Sequence, residues 1–218
     1  MIVLIGGEKG GTGKSTLAQN LAVWLAHEGK DVMLLDADPQ ATSKKWIDRR
    51  NELTGGLPKV HCTQALGNVL HTARDLEKRY DEILIDAGGR DSAELRSALV
   101  AADVVYIPIR ASQADLETME HVQELVSLAR NMNQGLKAYA LVSMAPSNPM
   151  IREREEAEAF LSDFPALQLA KTFIRDRKVY RDALLEGKGV VEMTNSPGKA
   201  EIQLFGQEAY DQENANGR

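Results

Sequence analysis

The 218-residue sequence predicts an α/β fold: a single domain on a mostly parallel, twisted sheet with helices on both faces. Three observations predict it. Short β-branched or leucine-rich runs alternate with longer amphipathic stretches along most of the chain. Parallel strands need crossover connections, which are normally right-handed helices, so regular alternation favours this architecture. A chain of this length also buries one sizeable core, and no Pro/Ser-rich linker or repeat of roughly 20 to 50 residues divides it.

In order, the elements are a strand at Ile2 to Ile5, a helix over 14–28, a strand at Val32 to Leu35 and a helix over 41–53. Val60 to Cys62, a helix over 66–79, Ile83 to Ile85 and a helix over 92–101 follow. Val104 to Ile107, a helix over 113–132, Ala138 to Val142 and a helix over 150–162 continue the alternation. Beyond residue 170 the pattern loosens, with helices expected near 176–186 and 199–212. The domain is therefore drawn over 1–212, with the polar segment 213–218 expected to fray.

Composition narrows the class. With 26 Lys+Arg against 32 Asp+Glu, a net charge of −6 and 43% hydrophobic residues, the chain is neither disordered nor collagen-like. No apolar run approaches the roughly 20 residues of a spanning helix, and the opening run is too short for a signal-peptide core, so a cytoplasmic location is expected. The single cysteine, Cys62, excludes an intramolecular disulfide framework and a cysteine-only metal cage. An acidic total argues against a protein that coats nucleic acid over its whole surface, but leaves room for a local basic patch.

The most informative segment is Gly6-Gly-Glu-Lys-Gly-Gly-Thr-Gly-Lys-Ser-Thr16, between the first strand and the first helix. Glycines turn backbone N–H groups toward a phosphate and the helix N-terminus adds partial positive charge. Lys14 can then reach the β and γ oxygens, while the Ser15 hydroxyl can ligate Mg²⁺. This is a P-loop, and a P-loop NTPase domain is the expectation. It departs from the strict pattern at one position, where Glu8 stands in place of the first glycine.

The loop Lys9-Gly-Gly-Thr-Gly-Lys-Ser15 resembles that of the deviant Walker A ATPases of the ParA/MinD superfamily. The resemblance implies that Lys9, Gly10, Gly11, Thr12, Gly13, Lys14, Ser15 and Thr16 bind ATP. It also implies that Lys9 reaches the partner's phosphates in a nucleotide-sandwiched homodimer, as an arginine finger would. Leu34-Leu-Asp-Ala-Asp-Pro-Gln40 resembles the family's switch I segment: Asp38 would position the attacking water, with Asp36 and Asp38 supporting Mg²⁺. Tyr80-Asp-Glu-Ile-Leu-Ile-Asp86 looks like the Walker B strand, making Asp86 the Mg²⁺-site acid. In the following Asp86-Ala-Gly-Gly89, the Gly89 N–H would sense the γ-phosphate. Lys9, Lys14 and Asp38 are thus the implied catalytic residues. Arg90 and Asp91 receive no role.

Arg177 to Glu192 is similar to the C-terminal pattern of small plasmid-partition ParA proteins, the ParF-like group. The acidic tail is unlike the basic amphipathic helix of a MinD-type membrane anchor, and one cysteine cannot supply a nitrogenase iron protein's cluster. With the loop beginning at residue 9, no N-terminal operator-binding module is expected. Between Lys171 and Lys188 six basic residues, Lys171, Arg175, Arg177, Lys178, Arg181 and Lys188, face three acidic ones, a local +3. They are the candidate surface for nonspecific DNA, whose phosphate contacts would double on dimerisation.

The resemblance implies a nucleoid-associated plasmid or chromosome partition ATPase with slow hydrolysis, stimulated by a ParB-like DNA-binding activator, and no membrane partner. Two alternatives remain: a related ATPase that positions another cargo, and a P-loop small-molecule kinase or ligase such as dethiobiotin synthetase. His27, His61, His71 and His121 lack metal-ligand spacing and read as surface or edge residues; Trp24 and Trp46 read as packing groups, and Cys62 as the end of a buried strand.

Overall fold

The computed structural model describes residues 1–110, 118–146, 153–194 and 197–214. Seven parallel strands, β1 (Ile2–Ile5), β2 (Val32–Ala37), β3 (His61–Gln64), β4 (Glu82–Ala87), β5 (Val104–Ile109), β6 (Lys137–Val142) and β7 (Gln168–Leu169), form one sheet in the order β3-β2-β4-β1-β5-β6-β7. The helices are α1 (Lys14–His27), α2 (Thr42–Asn51), α3 (Leu70–Glu77), α4 (Ala93–Ala101), α5 (Met119–Arg130), α6 (Glu153–Leu161), α7 (Lys178–Leu185) and α8 (Pro197–Asn214), with a 3-10 turn at Val190–Glu192. None is long and apolar enough to cross a membrane among the described residues.

Successive side chains of a strand point to opposite faces, and the sheet carries a core on each. Ile2, Leu4, Leu35, Ile83, Ile85 and Val105 pack with α3, α4, α5 and α6 on one side. Val3, Ile5, Leu34, Leu84 and Tyr106 pack with α1, α2, α7 and α8 on the other. The central strands are buried on both faces, which is why they read as unbroken apolar runs. Gly206 allows α8 to approach α1 closely: a Cβ there would lie 2.3 Å from the Trp24 ring.

The structure departs from the sequence expectations where apolar runs are a poor guide. β2 and β4 run on through Asp36-Ala37 and Asp86-Ala87, because the parallel ladder pairs Asp36 with Asp86 and Ala37 with Ala87. The third strand is shifted to His61–Gln64 at the sheet edge, so half-buried Cys62 lies within it, its thiol pushed up to about 12 by burial. The two-residue β7, paired with Tyr139 and Ala140, is too short to show a period. α3 starts only at Leu70, behind the left-handed Gly67. Positions 113–117 and 150–152 of the expected helices lie outside the described residues. α8 extends to Asn214, two residues into the segment expected to fray, and 215–218 lie outside the described residues.

Candidate functional site

Ligands of open parallel sheets bind beyond the C-terminal strand ends. Here the ends of β1, β2 and β4 converge with α1 on a cavity of about 730 Å³. Its lining includes Gly10, Gly11, Gly13, Lys14, Ser15, Thr16, Asp38, Gly88 and Gly89. Gly13, left-handed at φ 89°, caps α1 without a side-chain bond, so no side chain competes for the first-turn N–H groups that an anion would occupy.

The loop is braced from three sides. Lys14 Nζ donates to the Lys9 carbonyl at 2.6 Å, Arg110 Nη2 to the Gly11 carbonyl at 2.6 Å, and Ser143 Oγ to the Thr12 carbonyl at 2.7 Å. The buried Thr12 hydroxyl turns back toward the Lys9 carbonyl at 3.4 Å. Burial pushes the Lys14 ammonium below its ordinary value, while Asp86 and Asp38 pull it back up. Gly89 packs directly over the loop: a Cβ there would lie 3.0 Å from Gly10 N and 3.1 Å from Lys14 Nζ, so a side chain would push on the loop by a few tenths of an ångström.

The aspartates divide into two kinds. Asp38 lines the cavity, its carboxylate close enough to Gly88 that a Cβ there would meet Asp38 Oδ2 at 3.2 Å. Asp36 is fully buried beneath it, and its two oxygens accept from Asp38 N at 3.1 Å and Lys44 N at 2.8 Å, which ties the switch I turn to α2. Burial pushes the Asp36 carboxyl up. Asp86 is buried and accepts from Ser43 Oγ at 2.7 Å, which in turn accepts from Gln19 Nε2 at 3.1 Å. Burial raises the Asp86 carboxyl to about 7, against the opposing Ser43 and Ser15 hydroxyls. Asp86 Oδ1 has no hydrogen-bond partner. A buried carboxylate oxygen left over next to Ser15 fits the donor set of a hydrated Mg²⁺, whose ligands are hard oxygens.

Ser43, Gln19, Arg110 and Ser143 were not singled out from the sequence. Each acts through a contact between distant segments, and no local motif carries that signal. His121 is the other surprise. Its Nε2 lies 3.1 Å from Glu8 Oε1 and 3.3 Å from Asp91 Oδ2, so it joins the divergent loop position to the segment after Gly89.

The basic strip is less uniform than its charge count. Arg177 pairs with Glu201 at 2.8 Å, Arg181 with Asp176 at 2.7 Å, Lys178 with Asp182 at 3.0 Å and Lys188 with Glu186 at 2.8 Å. Arg175 Nη1 donates to the Pro146 carbonyl at 2.6 Å. Lys171 is exposed, while its backbone N–H donates to Glu208 Oε1 at 2.6 Å. Glu201 and Glu208 come from α8, outside the stretch over which the charge was summed.

Comparison with known proteins decides the family. The family model "ATPase MipZ" matches residues 1–141. The chain belongs to this family of ATPases. Membership places it in the ParA/MinD superfamily, as the loop, the switch I segment and the Walker B strand imply. Among curated relatives of this MipZ-family chain, "Maintenance of carboxysome distribution protein A" of Gloeobacter kilaueensis is 31% identical over 195 residues, covering 88% of this chain and 84% of that protein. "Chromosome-partitioning ATPase Soj" of Thermus thermophilus is 28% identical over 187 residues, covering 72% and 74%. The solved structure of Cyanothece McdA in complex with ATP shares the fold at a TM-score of 0.73 and 17% identity, over 95% of each chain.

Proposed function

We propose that this chain is a plasmid or chromosome partition ATPase whose ATP-bound homodimer binds DNA without sequence preference and whose hydrolysis a DNA-bound, ParB-like activator accelerates. One observation carries the reading: a single cavity gathers Lys14, Ser15, Asp38 and Gly89 at the strand ends, with the unpartnered Asp86 Oδ1 beneath.

In this reading Gly10 to Thr16 cradle the phosphates, and Lys14 stabilises charge developing on the phosphoryl oxygens. Ser15 and Asp86 hold the Mg²⁺ hydration shell, with Asp36 as the brace that fixes switch I around it. When bound, Mg²⁺ neutralises phosphate charge. Asp38 orients the attacking water, and Lys9 acts on the partner's phosphates. Gly89, already against Gly10 and Lys14, senses the γ-phosphate through its N–H, so switch II moves with the nucleotide state. Lys171, Arg175, Arg177, Lys178, Arg181 and Lys188 meet DNA once dimerisation presents the strip twice.

DNA co-sedimentation with ATP and with ADP at two salt concentrations tests the switch: salt-sensitive binding with ATP alone is expected, and equal binding in both nucleotides removes it. Lys9→Ala should abolish ATP-dependent dimerisation in light scattering; full dimerisation would remove its trans role. The carboxysome-distribution relative favours a second reading, in which the same cycle distributes a protein cargo over DNA. Deletion of the gene decides between them: plasmid loss supports partition, and mislocalised cargo at normal plasmid retention supports the second reading.

A further inference from the structure

We propose that Glu8, Asp91 and His121 form a binding site for one divalent transition-metal ion, separate from the nucleotide's Mg²⁺ site, that clips the phosphate loop to the end of switch II. The three donors come from three elements: Glu8 from the loop after β1, Asp91 from the segment between Gly89 and α4, and His121 from the first turn of α5. One ligand atom from each lies within 4.8 Å of the others, and His121 Nε2 is 3.1 Å from Glu8 Oε1 and 3.3 Å from Asp91 Oδ2. Zinc–nitrogen and zinc–oxygen bonds run about 2.0–2.2 Å, so neighbouring ligands on a tetrahedron are about 3.3–3.6 Å apart. The two spacings from His121 already match that edge, and the third, within 4.8 Å, closes by a rotation of an exposed carboxylate.

The donor chemistry points the same way. A single imidazole nitrogen carries at most one proton, yet here it faces two carboxylate oxygens and can bond well to only one of them. A dication in that space takes a lone pair from all three. Glu124 lies 3.7 Å from the opposite ring nitrogen, and Arg96 forks across Asp91, Nε on Oδ1 at 2.6 Å and Nη2 on Oδ2, which leaves Oδ2 a second lone pair for the ion. With a neutral imidazole, the three carboxylates and one guanidinium leave a local charge of −2, which a divalent ion cancels. Arg96 supplies the outer hydrogen bond that ligating carboxylates normally have. Burial raises the Glu8 carboxyl, with His121 opposing it and the like charge of Asp91 adding a smaller push in the same direction as burial. An imidazole donor selects zinc, copper, iron or nickel over magnesium. Neither Glu8, Asp91 nor His121 lines the nucleotide cavity.

The mechanical consequence follows from position. Glu8 directly precedes Lys9, and Asp91 lies two residues beyond Gly89. An ion shared between them fixes switch II to the loop, so nucleotide-dependent movement of Gly89 requires the clip to open.

The test needs no nucleotide and no activity. Chelator-treated full-length protein is titrated with ZnCl₂ by calorimetry, with thermal unfolding followed in parallel. Wild type should take up one equivalent with a rise in Tm. His121→Ala and Glu8→Gln should weaken uptake at least 10-fold and lose the Tm shift, each with an unchanged circular dichroism spectrum. His27→Ala and His61→Ala, whose histidines also lie near carboxylates, should bind like wild type. X-ray absorption at the zinc edge should show one imidazole among oxygen ligands. Wild-type affinity in His121→Ala, or no stoichiometric uptake by wild type, overturns the site. Neither result bears on ATP-dependent DNA binding, so the partition reading stands or falls separately.

Discussion

Two sets of charges in this molecule obey opposite rules. Those at the strand ends, Lys14, Asp36 and Asp86, are buried, and they bond to the phosphate loop, to α2 and to Ser43 around one cavity. Those of the strip from Lys171 to Lys188 sit mostly at the surface and pair with nearby acids or with α8. A buried charge is worth several kcal/mol to whatever completes its shell, whereas an exposed pair is worth about 0–1 kcal/mol and exchanges partners readily. The first set suits a switch that a nucleotide throws; the second suits a surface that exchanges acids for phosphates.

The two regions meet at Arg50. From the end of α2 it donates to Glu192 at 2.7 and 2.9 Å and to the Gly187 carbonyl at 3.2 Å, and both side chains of the pair are only 3% exposed. Burial alone would raise the Glu192 carboxyl, but Arg50, the Gly189 N–H and His27 together hold it below its ordinary value. Arg50→Met strands a buried carboxylate, so urea unfolding should show a loss of about 3–5 kcal/mol. A loss below about 1 kcal/mol would mean that water already reaches Glu192 and that the regions are not rigidly joined.

At the strand ends the largest effect should depend on pH. Asp86 rises from 3.8 to about 7 on folding. An acid raised in the folded state contributes stability that is fully present below its unfolded value and is lost as pH climbs through the folded one. The nucleotide-free protein should therefore lose up to about 4 kcal/mol from this group between pH 4 and pH 8. Asp86→Asn should unfold at higher urea than wild type at pH 8 and lose that advantage near pH 4. Identical pH profiles for the two proteins would show that the carboxyl is better solvated than its burial implies. In the proposed function Lys14 is the cation that meets the phosphoryl oxygens, so Lys14→Ala should lower ATP turnover about 10²–10³-fold, measured as phosphate release.

How much was legible in the sequence follows the same division. The central strands announce themselves because burial on both faces demands unbroken apolar runs, and the loop announces itself because phosphate binding demands glycines, Lys14 and Ser15 at fixed spacing. Ser43 carries no local signal, and His121 reads in the sequence as a surface or edge residue without metal-ligand spacing; each meets a partner more than 25 residues away in the chain, Asp86 for Ser43 and Glu8 for His121. The strip was half legible. Its positive residues are contiguous, but Glu201 and Glu208 reach it only because α8 packs back across the molecule.

The smallest expected effect is therefore the sharpest test of the strip. Glu201 accepts from Arg177 Nε at 2.8 Å and from the Tyr180 hydroxyl at 3.0 Å, so Glu201→Gln preserves an acceptor while removing the charge that occupies Arg177. Arg177 is then free to take a phosphate. With ATP and low salt, nonspecific DNA affinity should rise by about 2–5-fold, and the salt dependence should steepen by about one phosphate contact per protomer. Arg177→Ala should do the reverse, while ATP turnover without DNA stays at the wild-type rate in both. If Glu201→Gln leaves both affinity and salt slope unchanged, Arg177 does not meet DNA, and its pair with α8 is a structural tie like that of Arg50 with Glu192.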